Sequence, residues 1–287
     1  MLIDALKTKL RDYAPANALE YDNAVQEIMQ HFILLSLSRA GFFNVAAFHG
    51  GTYLRIINGI DRFSEDLDFL LRQPDPAFRW QDYLNAICRD CEREGLSLDV
   101  QDKSRAGAAV QKAFIKNDSV GKILTLTDSG KRGMQRKIRI KLEIDTNPPE
   151  GSVFETAYIT FPIIAPLTTQ TLASSFALKL HALLCRPYAK GRDWFDLVWY
   201  VSRHTQVNYT LLASALRQAG PWAGKKVPIG RPWLIESLEA VISRLDWKVA
   251  QEDVRRFLPL SQQENLRSWT SVFFCQLIKK IPPADSK

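Results

Sequence analysis

The chain has 287 residues, of which 46% are hydrophobic, enough for one large folded domain or two smaller ones. It contains no run of about 18 uncharged apolar residues, which excludes an ordinary membrane-spanning helix, and its N-terminus lacks a secretory signal pattern. The formal net charge of +7 is compatible with a nucleic-acid acceptor, and the composition predicts a cytoplasmic protein that does not associate with membranes.

The start of the chain is predicted to be helical and then to enter a sheet. Helical periodicity extends over residues 17–38, and NVAAF at 44–48 predicts a short buried strand ending at His49. Gly50 and Gly51 follow directly and permit a turn that residues with a Cβ atom would resist. For His49, which borders this turn, ligand contact and a structural role both stay open.

A helix and an acidic strand are predicted after the glycines. Thr52 is expected to cap the helix, with its hydroxyl placed to reach a phosphate, and Arg55 lies opposite the apolar face. Ser64 precedes the strand DLDFLL, in which Asp66 and Asp68 share one face. Backbone N–H groups of a glycine turn beside paired carboxylates are typical of a site that holds phosphate against a divalent metal.

A third carboxylate is available on a later strand. KIRIKLEIDT, residues 137–146, alternates strictly, so its isoleucines and leucine face a core. Arg139, Lys141, Glu143 and Asp145 share the opposite face. Either Glu143 or Asp145 can complete a metal site with the two aspartates.

A second group of charged residues lies in ALKLHALLCRPYAKGRDWFDLVWY, residues 177–200. Lys179 projects from an apolar helix, where an ammonium usually reaches for a phosphate or a carboxylate. Asp193 and Asp196 lie one helical turn apart and share a face. They either hold Lys179 or Arg192 in place or act as base on an acceptor hydroxyl. Alternatively, they merely stabilise the N-terminus of their helix, Asp193 as a cap and Asp196 through the helix dipole.

Prolines between residues 148 and 166 separate an α/β half from a helical half. We predict an α+β (α/β) fold, with a small mixed-sheet lobe and flanking helices in residues 1–160 and a helical lobe in 161–287. Helices are predicted over 168–185 and 262–278, among others. A ligand is expected in the cleft between the lobes, to which Lys179, Asp193 and Asp196 would contribute.

Two segments, GGTYLRIINGIDRFSEDLDF and residues 177–200, resemble the AbiEii/AbiGii toxin family. The members of this family are MenT-like proteins of the DNA polymerase β-like nucleotidyltransferase superfamily. The second segment is similar to that family's order of a Lys, an Arg, and Arg-Asp followed three residues later by Asp. The resemblance extends over roughly residues 45–200. It favours Glu143 over Asp145 as the third carboxylate.

The resemblance implies a nucleotidyltransferase that moves NMP from an NTP to an acceptor hydroxyl and releases pyrophosphate. It implies Mg²⁺, with Mn²⁺ as its alternative, bound by Asp66, Asp68 and Glu143 or Asp145. The residues implied in nucleotide binding are Gly50, Gly51, Thr52, Arg55, Ser64, Lys179 and Asp196, and Asp193 is implied in catalysis. A tRNA acceptor, a cognate antitoxin and a toxin–antitoxin or phage-defence system follow in the same way.

Two other functional classes stay open. One is a nucleotidyltransferase that modifies a protein or a small molecule, and the other is a nucleotide-binding module without turnover. Basic residues at 131–132, 136–141, 186–192 and 225–226 favour an RNA acceptor. Cys88 and Cys91 form a CxxC in a helical run without further clustered ligands, so no zinc site is expected.

Overall fold

The structure, a computed structural model, describes residues 2–102, 119–128 and 137–283 of the chain. Contacts divide the chain into two compact units. The first extends to Pro148 and includes Phe154–Thr169, while the second comprises Pro149–Val153 and the residues from Gln170 onward. The domain boundary predicted after residue 160 stays a prediction. By their contacts, residues 161–169 group with the first unit.

The first unit alternates helices and strands. Its elements in chain order are α1 (Leu2–Tyr13), α2 (Ala18–Arg39), a 3₁₀ turn (Phe42–Asn44), β1 (Ala46–His49), α3 (Gly50–Ile56), β2 (Asp66–Leu71), α4 (Gln81–Arg93), β3 (Leu96–Asp102), β4 (Ser119–Asp128), β5 (Lys137–Asp145), β6 (Phe154–Ile159) and β7 (Ala165–Gln170).

The described strands form one mixed sheet in the order β3-β4-β5-β2-β1-β7-β6. The strand β2 pairs in parallel with β5 and antiparallel with β1, and β1 pairs in parallel with β7. Two strands distant in sequence, β2 and β5, are therefore hydrogen-bonded neighbours in the middle of the sheet. The predicted fold class, a mixed sheet with flanking helices plus a helical part, is confirmed.

The alternation read from the sequence is realised on the two central strands. Leu67 and Phe69 of β2 are buried, as are Ile140, Leu142 and Ile144 of β5. The acidic residues between them are only half-buried. One face of these strands thus forms the core, which leaves the opposite face for polar groups.

The second unit is helical. Its elements are α5 (Leu172–Cys185), α6 (Gly191–Ser202), α7 (Tyr209–Gln218), α8 (Arg231–Ile242), α9 (Trp247–Arg255), α10 (Leu260–Gln263), a 3₁₀ turn (Glu264–Ser268) and α11 (Ser271–Ile278). Among the residues that the structure describes, no helix is long and apolar enough to cross a membrane.

Two predicted helices are wrong at their N-terminal ends. Residues 168–170 belong to β7, where Thr169 pairs with Phe48, and α5 starts later because the Thr171 side chain accepts a hydrogen bond from the Ser174 N–H. The single helix over 262–278 is broken, since the Thr270 hydroxyl caps a new helix by accepting from the Phe273 N–H. Local capping overrides apolar periodicity in both places.

His31 of α2 is a buried histidine that packs edge-on against Phe161. Burial, assisted by the nearby cations Lys9 and Arg55, lowers the pKa of His31 from 6.5 to about 4. Its Nδ1 atom has no hydrogen-bond partner among the described residues. The folded protein therefore holds a neutral imidazole where the unfolded chain would titrate near its ordinary pKa.

The protein is expected to lose stability as the pH falls from 6.5 toward 4, because over that range the unfolded chain binds a proton that folded His31 does not. The contribution of this group is complete above pH 6.5 and amounts to about 3 kcal/mol at most. Urea unfolding of wild type and His31→Gln at several pH values measures it. An equally steep profile in the variant would contradict the assignment.

Candidate active site

The helix α3 begins directly at Gly50, so the predicted glycine turn is the first turn of that helix. His49, rather than Thr52, occupies the N-cap position, which corrects the predicted cap. Gly50 has a φ of +82°, and a Cβ atom there would lie 2.5 Å from Oδ2 of Asp68. The backbone at the start of α3 thus lies against the Asp68 carboxylate at a distance that only glycine permits.

Gly51 makes a second close approach. A Cβ atom on it would lie 2.7 Å from the Ser64 hydroxyl oxygen and 2.8 Å from Nη2 of Arg62. Arg62 is only 2% exposed, and its Nη1 donates to the Phe63 carbonyl oxygen at 3.1 Å. The sequence analysis did not identify Arg62, because an isolated arginine gives no sign of burial in its local sequence.

Thr52 and Arg55 both make contacts within the protein. Thr52 is fully buried, and its hydroxyl donates to the Asp66 carbonyl oxygen, which fastens α3 to β2. Arg55 pairs through Nε with Glu27 at 2.8 Å and stacks on the Phe63 ring. Both side chains therefore serve to hold α3 in place, and their contact with a phosphate stays a prediction.

Two glutamines of α2 hold the segment that leads into β2, and the sequence analysis missed both. The Gln30 amide donates to the carbonyl oxygens of Ser64 and Glu65 at 2.9 and 3.0 Å. The Gln26 amide donates to those of Glu65 and Arg139, at 3.2 and 3.1 Å. Their spacing of four residues places them on one helix face, but sequence alone does not reveal which backbone they reach.

The register of β2 and β5 brings three predicted acids together. Asp68 lies opposite Glu143, and Asp66 lies opposite Lys141. Partners in adjacent strands are about 5 Å apart and point to the same face. Asp145 lies one row further, opposite Leu70, and its carboxylate accepts a hydrogen bond from the Asn147 N–H at 3.1 Å. This geometry favours Glu143 over Asp145 as the partner of the two aspartates.

Lys141 lies among these acids, a position to which the sequence analysis attached no role. Its ammonium forms an ion pair with Glu143. Burial lowers the pKa of Lys141, but the carboxylates of Asp66, Glu143 and Asp68 raise it more, so the net pKa lies above the usual range. The acidic face therefore carries its own fixed cation.

The oxygen donors of Asp66, Asp68 and Glu143 suit a hard divalent cation such as Mg²⁺. No group of three His, Cys, Asp or Glu side chains that could hold a metal ion occurs within the described ranges. Among these acids, the structure shows an ion pair between the Lys141 ammonium and Glu143. The donor chemistry thus fits a metal, whereas the arrangement is that of an acid–lysine cluster.

In the second unit, the predicted residues form a buried ion-pair cluster. The Lys179 ammonium lies 2.7 Å from Oδ1 of Asp193 and 2.8 Å from Oδ2 of Asp196. Nη1 of Arg186 lies 2.7 Å from Oδ2 of Asp193. Asp193 is 2% exposed and Asp196 is fully buried. The structure therefore brings Lys179, Asp193 and Asp196 together and removes both carboxylates from solvent.

Asp193 remains ionised in this cluster. Burial raises its pKa, but Lys179, Arg186 and Lys190 lower it far more, and the net pKa lies well below the ordinary value of 3.8. A carboxylate with so low a pKa is a weak proton acceptor. The helix α6 begins at Gly191, and the side chain of Asp193 is directed at cations rather than capping that helix.

Close packing explains the glycine of the Gly-Arg-Asp segment. A Cβ atom on Gly191 would lie 1.8 Å from the Ala250 carbonyl oxygen, so α6 and α9 approach each other at this point. The Arg192 guanidinium stacks 4.2 Å from the centre of the Phe257 ring. Arg192 therefore packs against the segment that directly follows α9.

The two cysteines of the CxxC segment differ in burial. Cys88 and Cys91 lie on α4, and Cys91 is buried with its pKa raised to about 12, chiefly by burial. Both are free cysteines. A protonated, buried thiol is neither a metal ligand nor a nucleophile.

A family model described as the AbiEii nucleotidyl transferase toxin of type IV toxin–antitoxin systems matches residues 33–273. Among solved structures, MenT4, a nucleotidyltransferase toxin from Mycobacterium tuberculosis, is similar at 19% identity and a TM-score of 0.52, covering 94% of this chain and 98% of its own. JHP933 from Helicobacter pylori matches at 16% identity and a TM-score of 0.48, covering 89% of this chain and 93% of its own. No curated protein matches the chain.

The family match covers most of the chain, including the glycine start of α3, the acids of β2 and β5, and the Lys179 cluster. The likeness to MenT4 independently shows a nucleotidyltransferase toxin fold. Such enzymes use an NTP as substrate, and a type IV system implies an antitoxin partner. The chain belongs to the AbiEii family of nucleotidyltransferase toxins.

Proposed function

We propose that this toxin transfers NMP from an NTP to an acceptor hydroxyl at a tRNA end, with Mg²⁺ bound by Asp66, Asp68 and Glu143. The supporting observation is the group of three carboxylates on one sheet face, with the glycine start of α3 packed against Asp68. When bound there, Mg²⁺, or Mn²⁺ in its place, would neutralise charge on the triphosphate and its leaving pyrophosphate.

The phosphate contacts in this proposal come from backbone more than from side chains. The first N–H groups of α3, near Gly50 and Gly51, have no partner within the helix and suit phosphate oxygens. Ser64 adds a hydroxyl beside Gly51. Thr52 and Arg55 hold α3 and are left out of the phosphate contacts.

Lys179 is proposed to contact the triphosphate, and Asp193 and Asp196 are proposed to orient it. Two carboxylates within 2.8 Å fix the ammonium in one position. Of the alternatives for these aspartates, the low pKa and burial of Asp193 favour orientation over action as a base. Asp196 is fully buried, which supports an orienting role for it as well, and its direct contact with the nucleotide stays a prediction.

The choice of tRNA as acceptor rests on charge. The chain carries a formal +7, and this count includes the exposed Lys225 and Lys226 of the second unit. Three further basic residues that favour an RNA acceptor lie outside the described residues, namely Lys131, Arg132 and Arg136. A tRNA substrate and an NTP donor place the reaction in the cytoplasm, and arrest of translation would suit phage defence.

We expect labelled nucleotide to appear in a tRNA-sized band when purified protein is incubated with Mg²⁺, total bacterial RNA and each α-³²P-labelled NTP in turn. Asp66→Ala should abolish the label, whereas Asp61→Ala, which removes an exposed acid just before the strand, should not. Denaturing gels read out both.

Label in a protein band would instead identify a protein acceptor and overturn the tRNA assignment. Metal-dependent NTP binding without pyrophosphate release would point to a binding module without turnover.

Glu143→Gln should lower the transfer rate at least about 100-fold, the scale of losing one electrostatic contact to a transition state. Asp145→Asn should stay within a few-fold of wild type, because Asp145 accepts from the Asn147 N–H one row away. Initial rates at saturating NTP distinguish the two variants. The reverse order would make Asp145 the third carboxylate.

Asp193→Asn should destabilise the protein by about 3 kcal/mol at pH 7, because it removes the charge of the buried carboxylate that Lys179 and Arg186 share, while Lys179 keeps Asp196. The pKa of Asp193 is lowered on folding, so its contribution is present above 3.8 and fades as the pH falls below that value. The difference between variant and wild type should therefore shrink in acid.

Chemical denaturation measures this difference, with Glu252→Gln as the control. That variant removes a largely exposed ion pair with Arg255 and should change stability by less than about 1 kcal/mol. A constant difference across the acid range would contradict the ionised state assigned to Asp193.

A further inference from the structure

The positive charge of the chain is concentrated in the second unit. Of the 38 lysines and arginines, 17 belong to that unit, together with only 10 of the 31 aspartates and glutamates. The second unit thus carries the whole formal charge of +7, and the first unit is formally neutral. Such an asymmetry indicates an anionic partner for the second unit, more strongly than the same charge spread over the whole surface would.

Within the second unit, the charge is most one-sided between α6 and α8. The sequence has no aspartate or glutamate from residue 197 to residue 235. The cations of this segment are Arg203, Arg217, Lys225, Lys226 and Arg231. Arg203 stacks on a tryptophan ring, and Arg231 donates to two backbone carbonyl oxygens. The other three cations are exposed on the surface of the unit.

The α7–α8 loop, residues 219–230, brings the backbone of these three cations together. The Gly224 N–H donates to the Arg217 carbonyl oxygen at 3.0 Å, so the two consecutive lysines begin beside the end of α7. The ammonium of Lys225 donates to the Pro221 carbonyl oxygen at 3.0 Å. The loop is therefore a hydrogen-bonded turn that holds a double lysine at the surface.

The α7–α8 loop is fixed to the helix that carries Lys179. The carbonyl oxygen of Ala219 lies 3.2 Å from Nε2 of His181 on α5. A Cβ atom on Gly220 would lie 2.5 Å from Sγ of Cys185, the last residue of that helix. Lys179 lies six residues before Cys185, about 9 Å along the helix axis. The basic loop is thus anchored to the same helix as the ammonium proposed to contact the triphosphate.

We propose that the end of α7 and the α7–α8 loop form a surface that binds the phosphate backbone of the RNA acceptor through Arg217, Lys225 and Lys226. The proposal rests on the proposed transfer to tRNA and adds the part of the chain that holds the acceptor. Exposed lysine and arginine side chains release counterions when they bind phosphates, so this binding weakens as the salt concentration rises. It does not depend on base sequence, because the contacts go to the backbone.

Fluorescence anisotropy of labelled bulk bacterial tRNA, without NTP or divalent metal and at several salt concentrations, tests this surface without turnover. Lys225→Gln/Lys226→Gln should bind about tenfold more weakly than wild type at low salt. Its slope of log K against log salt should be smaller by about 1.4–1.8, since each lost phosphate contact removes about 0.7–0.9. Lys225→Arg/Lys226→Arg keeps both charges and should bind about as tightly as wild type.

Arg244→Gln/Lys248→Gln is the matched control, because it also removes two exposed positive charges from the second unit. The helix α8 begins where the α7–α8 loop ends, and its 12 residues extend about 18 Å before Arg244 is reached. The affinity and the salt slope of this variant should stay close to those of wild type. An equal loss in the control would reduce the effect to net charge and overturn the proposed surface.

The transfer assay gives an independent readout. Lys225→Gln/Lys226→Gln should raise the KM for tRNA about tenfold and leave kcat and the KM for NTP within about twofold of wild type, because the lysines hold the acceptor without touching the reacting groups. Its Tm should match that of wild type, since both side chains are exposed. Should the Tm fall, Lys226→Gln alone keeps the hydrogen bond from Lys225 to Pro221 and serves as the second variant.

The outcomes separate the surface from the proposed function. If wild type binds and labels tRNA and the loop variant does both equally well, the surface is overturned and the proposed function stands. If wild type binds tRNA without labelling it and the loop variant binds weakly, the surface stands as an RNA-binding element and transfer to tRNA falls. If wild type neither binds nor labels tRNA, both fall together. Binding to phosphatidylglycerol vesicles without binding to tRNA would overturn the RNA assignment in favour of a membrane surface.

Discussion

The parallel pairing of β2 with β5 is the constraint on which the candidate site depends. It sets Asp68 beside Glu143 and Asp66 beside Lys141. If β5 slipped by one residue, its acidic side chains would turn into the core and its isoleucines would turn outward. Burial of the apolar face therefore fixes which residues of the two strands lie side by side on the polar face. The helix α2 strengthens the same alignment, because Gln26 spans from the segment before β2 to the Arg139 carbonyl of β5.

The glycines at the start of α3 have a meaning that depends on this alignment. Gly50 lies against Asp68 and Gly51 lies against Ser64 and the buried Arg62, so backbone fills the space beside the acids where side chains would normally stand. The Thr52 hydroxyl then fastens the helix to the Asp66 carbonyl. The acid pair and the helix start thus form one rigid local unit, which suits a site that must hold a phosphate beside carboxylates.

Sequence patterns predicted the site where the signal is periodic and failed where it depends on spatial contacts. Alternation in DLDFLL and KIRIKLEID identified both strands and the acids on their outer face, and this is what the structure has. Alternation also placed Lys141 on that face, but only the pairing with β2 reveals that it lies among three carboxylates.

Other residues gave no local signal in the sequence. Gln26 and Gln30 contact backbone atoms that are distant in the chain, and the burial of Arg62 depends on the elements packed around it. The contacts of Thr52 and Arg55 gave no local signal either, since a residue type suited to phosphate is equally suited to a buried hydrogen bond or an ion pair.

The two groups of functional residues differ in how far chemistry can be separated from stability. On β2 and β5, core packing uses one face, where Leu67 and Leu142 are fully buried, at roughly 1.5–3 kcal/mol per side chain. The acids on the other face can change with little loss of core. In the second unit Asp193 and Asp196 are themselves interior, so replacing either carboxylate removes an ion-pair partner from the partly buried Lys179. A loss of activity on the acid face therefore reports on chemistry, whereas a loss in the Lys179 cluster reports on chemistry only when the free energy of unfolding is measured beside it.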